Sequence, residues 1–598
     1  MNAGKTYVKP SNGFTLIEIL VSISLMGLFF YGLFGVLQTS LKVIGDNKAR
    51  TTALALLNER LEFVQAISYD SVGTSSGAVT GVIPDNETIR QNNINFNIDT
   101  QIVYIDDVGD GSGYYPTYNG ATCNPPDSTY DQNCIITDYK KMTVSVSWVG
   151  QTSTQELTAT TSITPDSIET DVEGGILSVT VLDALGLPVS HADITIVNDT
   201  ATPAVNATYQ TNANGELVLL GVEALSDYNI SAAKTNYSSD QTYASDVSNP
   251  NPVNSNITVV NYLTSSVTLT IDELSNLEIF TTKVAEQGEF NEPVDSETNF
   301  TEFSNLTINS GSIELEYDAV NAIYSSSGTA RHQDTTVLYP QSWDELWVNG
   351  TFPEQTTTTV KLYYYNEATD SYSLVPNTEL PQNNVGIELE SSDTYIDLSG
   401  LSTDYKTVYP LFTLTSADGL ATPVINQFEI RYTHYPPISV EFDLVGVKNI
   451  GYESGGNRIP KTILTITTDE DGYYLISDLE FDQYDLSFNS PVGYSLRYRY
   501  GLDDIVLAPN DTQAVTARFD TLTGSSLLAE VVDINNQPIS GVEIAVDQGG
   551  VNVITTNQYG QAYLGELADG PVDVEIAAPS SYTNTIDING ETEIRINL

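Results

Sequence analysis

The sequence predicts a multidomain protein: an α+β N-terminal domain, made of one long α-helix and a small antiparallel sheet, followed by an array of all-β sandwich domains. Three observations carry this expectation. One long apolar run opens the chain, and alternating segments bounded by turn residues fill the rest. A Thr-x-x-x-Gly turn then recurs at residues 211–215, 468–472 and 556–560. At 598 residues the chain is too long for a single core, so roughly four or five domains are expected.

Charge narrows the class. The chain has 22 Lys+Arg against 78 Asp+Glu, a formal net charge of -56. Such a surface repels nucleic-acid phosphates and anionic headgroups, so the acidic bulk has no nucleic-acid partner. With 40% apolar residues, the acid decorates folded domains and does not form a disordered tail. Two cysteines are too few for a disulfide-built scaffold. Abundant Thr, Ser, Asn and Tyr with few Lys describe an exposed, secreted β protein.

The apolar run covers residues 14–37, and Glu18 is the sole charge between Lys9 and Lys42. As a helix it spans roughly 36 Å, enough to cross a bilayer with some tilt. A secretory signal places its cleavage site after such a stretch. Here a short basic leader, residues 1–13, comes first, and the run opens at the junction Gly13-Phe14.

That junction, GFTLIEIL, resembles the type IV pilin and pseudopilin family. The resemblance implies a prepilin peptidase that cuts after Gly13, N-methylation of Phe14, and Glu18 as the fifth mature residue. It also implies other pilins or pseudopilins as partners through the N-terminal helix. The leader is expected on the cytoplasmic side of the inner membrane, with the rest outside, ending in a filament or on the cell surface. The basic residues flanking the helix do not decide its orientation, because Lys5 and Lys9 precede it and Lys42, Lys48 and Arg50 follow it. A carboxylate in hydrocarbon needs a partner. The new α-amino group of a neighbouring Phe14 lies at the right depth to pair with Glu18 and to set the axial register. Leu54, Leu57, Leu61 and Val64 continue the helix as an amphipathic segment, which is expected to end near Ile67. Gly27, Gly32 and Gly35 lie in its membrane half, where many major pilins carry a proline and this chain has none.

Residues 68–167 are expected to form a β head. INFNID, QIVYID and KKMTVSVSW alternate, and the last two read as antiparallel strands. The order of elements resembles minor pilins and pseudopilins, which makes the α+β N-terminal domain pilin-like. Cys123 and Cys134 flank a short loop, and in an oxidising exterior a disulfide is favoured over free thiols. Asp106, Asp107 and Asp110 precede Gly111 as a weak calcium candidate. They lack the alternating ligand spacing of a calcium loop, so a solvated turn is favoured.

Three segments, 172–264, 436–522 and 523–598, share a pattern. A proline (Pro188, Pro460 or Pro538) precedes the Thr-x-x-x-Gly turn, and Val222, Leu479 or Leu567 follows the glycine by seven residues. In each turn the Asn or Asp favours the bend and the Gly supplies a positive φ. These segments resemble carboxypeptidase regulatory-like β-sandwich domains, which implies a spacer or binding-platform role. The larger segment 265–435 lacks the repeat and reads as a jelly-roll-like sandwich of the kind used in carbohydrate-binding or adhesive modules. Trp343 and Trp347 would contact a sugar if exposed, but burial is the commoner fate of such rings.

No enzyme constellation appears. His191, His332 and His434 are scattered over different segments, and there is no phosphate-cradling loop or dinucleotide fingerprint. No cofactor is implied. Two readings follow. One is a minor pilin or pseudopilin-like structural or adhesive subunit of a type IV filament or a related secretion or uptake machine. The other is a membrane-tethered carbohydrate-binding protein that does not polymerise. A surface glycan or another cell is the expected contact of the β array in either case.

Overall fold

A computed structural model describes residues 16–106, 135–150, 153–166, 170–500, 504–522 and 524–598. It is an N-terminal helix followed by an all-β array in many sheets, and it divides into two units. The first comprises Met1–Glu273 with Asn449–Ile459, and the second Leu274–Lys448 with Pro460–Leu598.

In the first unit the helix Leu16–Ala66 runs for 51 residues. Ala49, Ala53, Leu56, Leu57 and Val64 recur at helical spacing and are buried. They pack on the antiparallel meander Asn86–Gln91, Ile94–Ile105, Tyr139–Val149 and Thr154–Ile163. INFNID and QIVYID form one continuous strand, because Thr100 keeps the alternation in phase with Phe96, Ile98 and Ile102 on the core face.

Downstream in this unit a sandwich forms from two sheets. One is ordered Glu216–Val222, Gly175–Leu182, Thr264–Thr270, and the other Asp240–Gln241, Asn229–Ala233, Asp193–Asn198, Val205–Gln210. Gly175–Leu182 pairs antiparallel with one neighbour and parallel with the other. The expected boundary after residue 264 therefore falls at the start of a strand that belongs to this sandwich.

Every residue type in the repeated turn has a job. Thr211 is buried; its Oγ1 donates to Val189 O (2.8 Å) and accepts from Ala192 N (2.9 Å). Thr556 repeats this with Ile539 O (2.8 Å) and Val542 N (2.9 Å), and Thr468 Oγ1 accepts from Val440 N (2.9 Å). The next side chain closes the bend. Asn212 Oδ1 accepts from Asn214 N and Glu216 N, Asp469 Oδ1 from Asp471 N and Tyr473 N, and Asn557 Oδ1 from Tyr559 N and Gln561 N. Gly215, Gly472 and Gly560 have φ of 70°, 68° and 72°. Their carbonyls accept from Val181 N (2.8 Å), Thr281 N (2.7 Å) and Val531 N (2.8 Å), which ties each turn to the first strand of its sandwich.

Thr281 exposes how the second unit is built. It lies on Ser275–Lys283, which pairs antiparallel with Tyr473–Leu479 and parallel with Thr512–Thr521. Ser525–Val532 makes the same two kinds of pairing with Gln561–Leu567 and Glu591–Asn597 in the third sandwich. Ser275–Lys283 is therefore the first strand of the second sandwich, although the sequence reading placed it in segment 265–435. The bridges Leu182↔Pro188, Thr282↔Pro437 and Val532↔Pro538 also correct the second motif: the equivalent proline is Pro437, not Pro460. Where the other sandwiches turn through residues 183–187 and 533–537, the second holds a whole domain. Lys283 N donates to Pro436 O (2.7 Å), so the two ends of the insert meet in one hydrogen bond.

The insert is a two-sheet sandwich of six and seven strands, Glu286–Glu292 to Val424–His434, with Trp343, Phe412 and Phe428 in its core. A second interruption occurs at Asn449–Ile459. This segment belongs to the first unit, where Asn251 pairs with Tyr452 and Val253 N donates to Ile450 O (3.1 Å).

Two outcomes are expected. Removing residues 285–435 and joining the ends with the turn 183–187 should leave a cooperative thermal transition for the second sandwich, because the excised ends are already adjacent. Gly560→Ala would set a Cβ at positive φ, 2.5 Å from Val531 O. Denaturant titration should show a loss of about 1–3 kcal/mol in the third sandwich.

Candidate assembly helix

Among the described residues nothing covers the first half of the helix. Leu20, Ile23, Leu25, Met26, Phe29, Phe30, Tyr31, Leu33, Phe34, Val36 and Leu37 are each more than half exposed, and Tyr31 reaches 83%. By length and composition this helix could cross a membrane. Two of its hydroxyls are satisfied internally: Ser24 Oγ donates to Leu20 O and Thr39 Oγ1 to Gly35 O, both 2.9 Å. Gly27, Gly32 and Gly35 have nothing within 4 Å of their Cβ positions, so another surface can approach the backbone closely there. Glu18 lies in the first turns of this helix. Gly13 and Phe14 lie outside the described residues.

The remaining sequence-level candidates are dispersed. Cys123, Cys134, Asp107 and Asp110 also lie outside the described residues, and Asp106 ends the described part of its segment. Among the described residues no three His, Cys, Asp or Glu side chains gather as a metal would require. Trp343 is fully buried; its Nε1 donates to Tyr405 O (2.9 Å) and its ring meets Tyr432 edge-on, so it presents no face to a sugar. Trp347 is half-buried, with Nε1 donating to Asp393 Oδ1 (3.2 Å). His332 is buried among Phe290, Phe300 and Phe428, with Nε2 3.1 Å from Glu292 Oε2. Glu292 Oε1 also accepts from Val294 N and Asn299 Nδ2, so this pair is a satisfied core network.

Two residues that sequence reasoning passed over hold the helix end and the head in place. Lys140 is buried beneath the turn that follows the helix. Its Nζ donates to Tyr69 O (2.9 Å) and Val72 O (2.6 Å) and lies over the Tyr69 and Tyr104 rings at 4.5 and 5.2 Å. Burial pushes its amine down to about 8, against the opposing pull of Asp70. The signal was present in KKMTVSVSW, where period-two alternation puts Lys140 on the same face as Met142 and Val144. Tyr209, on the first sandwich, accepts at its hydroxyl from Ala78 N (2.9 Å), and burial pushes its phenol up to about 12. Beside it Asn206 N donates to Ser76 O (2.8 Å), and Gln101 Nε2 donates to Thr208 O (2.7 Å). The head and the first sandwich are thus joined along one strand edge.

Comparison with known proteins adds one local match: a prokaryotic N-terminal methylation motif covers residues 8–32. No curated protein matches the chain. Among solved structures, the Bacillus anthracis TIE protein is 11% identical, with 86% of this chain and 72% of that one covered at a TM-score of 0.15. BcpA, the major pilin subunit of Bacillus cereus, is 10% identical over 71% of this chain and 99% of its own, at a TM-score of 0.12. GBS52, the minor pilin of Streptococcus agalactiae, is 11% identical over 27% and 84%, also at 0.12. At these scores the structural likeness carries no weight for fold or function.

Lys140 makes a pH prediction. The folded chain releases this proton at about 8, while the unfolded chain holds it to the usual 10.5. Between those values the unfolded state binds more protons, so stability from this site rises with pH. Thermal unfolding at about pH 7 and about pH 10 should show wild type gaining on Lys140→Met at the higher pH. An unchanged difference would contradict the buried, desolvated ammonium.

Proposed function

We propose that this chain is a minor pilin or pseudopilin-like subunit of a type IV filament or a related secretion or uptake machine. Prepilin peptidase cuts it after Gly13, and Phe14 becomes the methylated N-terminus. The observation that carries the reading is the methylation motif at residues 8–32, leading directly into a helix whose apolar side chains are uncovered to residue 44. A membrane covers that surface before assembly, and the helices of neighbouring subunits cover it afterwards. Glu18 then pairs with the α-amino group of the adjacent subunit, since a carboxylate at that depth needs a cationic partner.

The β array is the contact-making part, and we read it as non-enzymatic. Its repeated sandwiches, each with a first strand flanked by one antiparallel and one parallel neighbour, support the carboxypeptidase regulatory-like reading. A load of this size at every lattice point would crowd a filament, and like charge would add repulsion at low salt. That argues for few copies, at or near an end. Glu18 argues that another subunit sits above.

Mass spectrometry of protein from the cell surface should find an N-methylated Phe14 terminus. An intact Met1 or a cut after the apolar run would overturn the reading. Immunogold against the third sandwich should label filament ends sparsely. Dense labelling of the shaft would refute terminal placement, and gold on cell bodies alone would favour a tethered monomer.

A further inference from the structure

The first and third sandwiches have equivalent edge strands, and among the described residues only the first has that edge occupied. In the first, Val205–Gln210 pairs with Asp193–Asn198 on one side and meets the head on the other, through Asn206 N to Ser76 O and Gln101 Nε2 to Thr208 O. Residues 206 and 208 therefore turn their main-chain groups away from the sheet. In the third, Val551–Thr555 pairs with Glu543–Asp547 and is the edge of its sheet among the described residues. Thr211 and Thr556 are equivalent turn residues. Counting back five and three positions from each sets Val551 and Val553 in the places of Asn206 and Thr208.

Those two valines are 63% and 60% exposed. Residues 548–565 carry no charge, in a chain whose net charge is -56. Edge strands are ordinarily protected by lysine, proline or a bulge. The matching edge of the second sandwich, Ile463–Thr467, is flanked by Lys461 and by Asp469, Glu470 and Asp471. The third edge has no such guard.

We infer that Val551–Thr555 is a docking edge for the same strand of a second copy, paired antiparallel about a two-fold axis through Val553. Three features select this occupant. The outward main-chain groups belong to residues 551, 553 and 555, a set symmetric about Val553, so each N–H meets a C=O when the strand faces itself. The pairing sets Val551 opposite Thr555 of the other copy and joins the exposed valines of both copies into one apolar strip. Two chains of like charge repel over most of their surface, and the neutral edge is where they can close. The pairing deepens the surface-subunit reading and rests on it for its setting alone: it makes the array a self-recognising contact between subunits on neighbouring filaments or cells.

Cysteine cross-linking of the full-length chain in detergent micelles tests the register. Oxidised V553C should give a disulfide-linked dimer on a non-reducing gel, since directly opposed residues lie within disulfide reach. V551C should not link to itself, but V551C mixed with T555C should give the mixed dimer. V492C, at an exposed loop position, should remain monomeric, and V553K should lose self-association measured by light scattering. A V553C dimer no stronger than that of V492C would overturn the pairing, as would V551C linking to itself equally well. If the chain that fails to cross-link still carries methylated Phe14, the pairing falls and the subunit reading stands.

Discussion

The rest of the molecule depends on an apolar surface that the described residues leave uncovered. Between residues 20 and 44 the helix exposes apolar side chains, and among the described residues no strand of the head covers them. By length and composition such a helix could cross a membrane. From Ala49 onward the apolar positions fall on one face, and the head sheet closes over that face. The change from exposed to one-sided hydrophobicity marks where the folded mass begins.

Beyond that point the chain uses one turn three times. A buried threonine hydroxyl ties the turn to the segment that leads into the second strand, an Asn or Asp folds the bend, and a glycine with positive φ offers its carbonyl to the first strand. Because the turn grips the first strand directly, the sandwich closes around a local anchor. The connection between that strand and its successor is then free to vary. The second sandwich exploits this freedom by holding a complete domain between Lys283 and Pro436, at a place where chain entry and exit are already hydrogen-bonded neighbours.

The same economy governs the edges. In the first sandwich an outer strand is covered by the head, and Tyr209, Asn206 and Thr208 fix that join. In the third sandwich the equivalent strand is uncovered among the described residues, carries no charge and is lined by valines. Small, local choices of side chain on one repeated scaffold thus decide whether an edge joins domains within the chain or is offered outward.

The sequence by itself determined the elements whose signals are local. The helix follows from apolar spacing, but of the expected face Leu54 is exposed, and Ala49, Ala53 and Leu56 take the core side with Leu57 and Val64. Two strands of the head follow from the alternation in QIVYID and KKMTVSVSW, and the repeated turns follow from Thr, Asn or Asp, and Gly at fixed offsets. The buried lysine was also legible, since alternation alone puts Lys140 on the core face. Tertiary structure decided what depends on distant pairing. Ser275–Lys283 reads as the start of the segment that follows it, yet its partners lie some two hundred residues further on, at Tyr473–Leu479 and Thr512–Thr521. Pro460 stood in for Pro437 because a motif read along the chain cannot see a domain folded into a turn. Trp343 and Trp347, four residues apart, separate into a buried core ring and a half-buried one because strand bulges at Trp343/Glu345 shift the alternation between them. Local chemistry specifies an element; which elements share a core is settled only when strands remote in sequence exchange their hydrogen bonds.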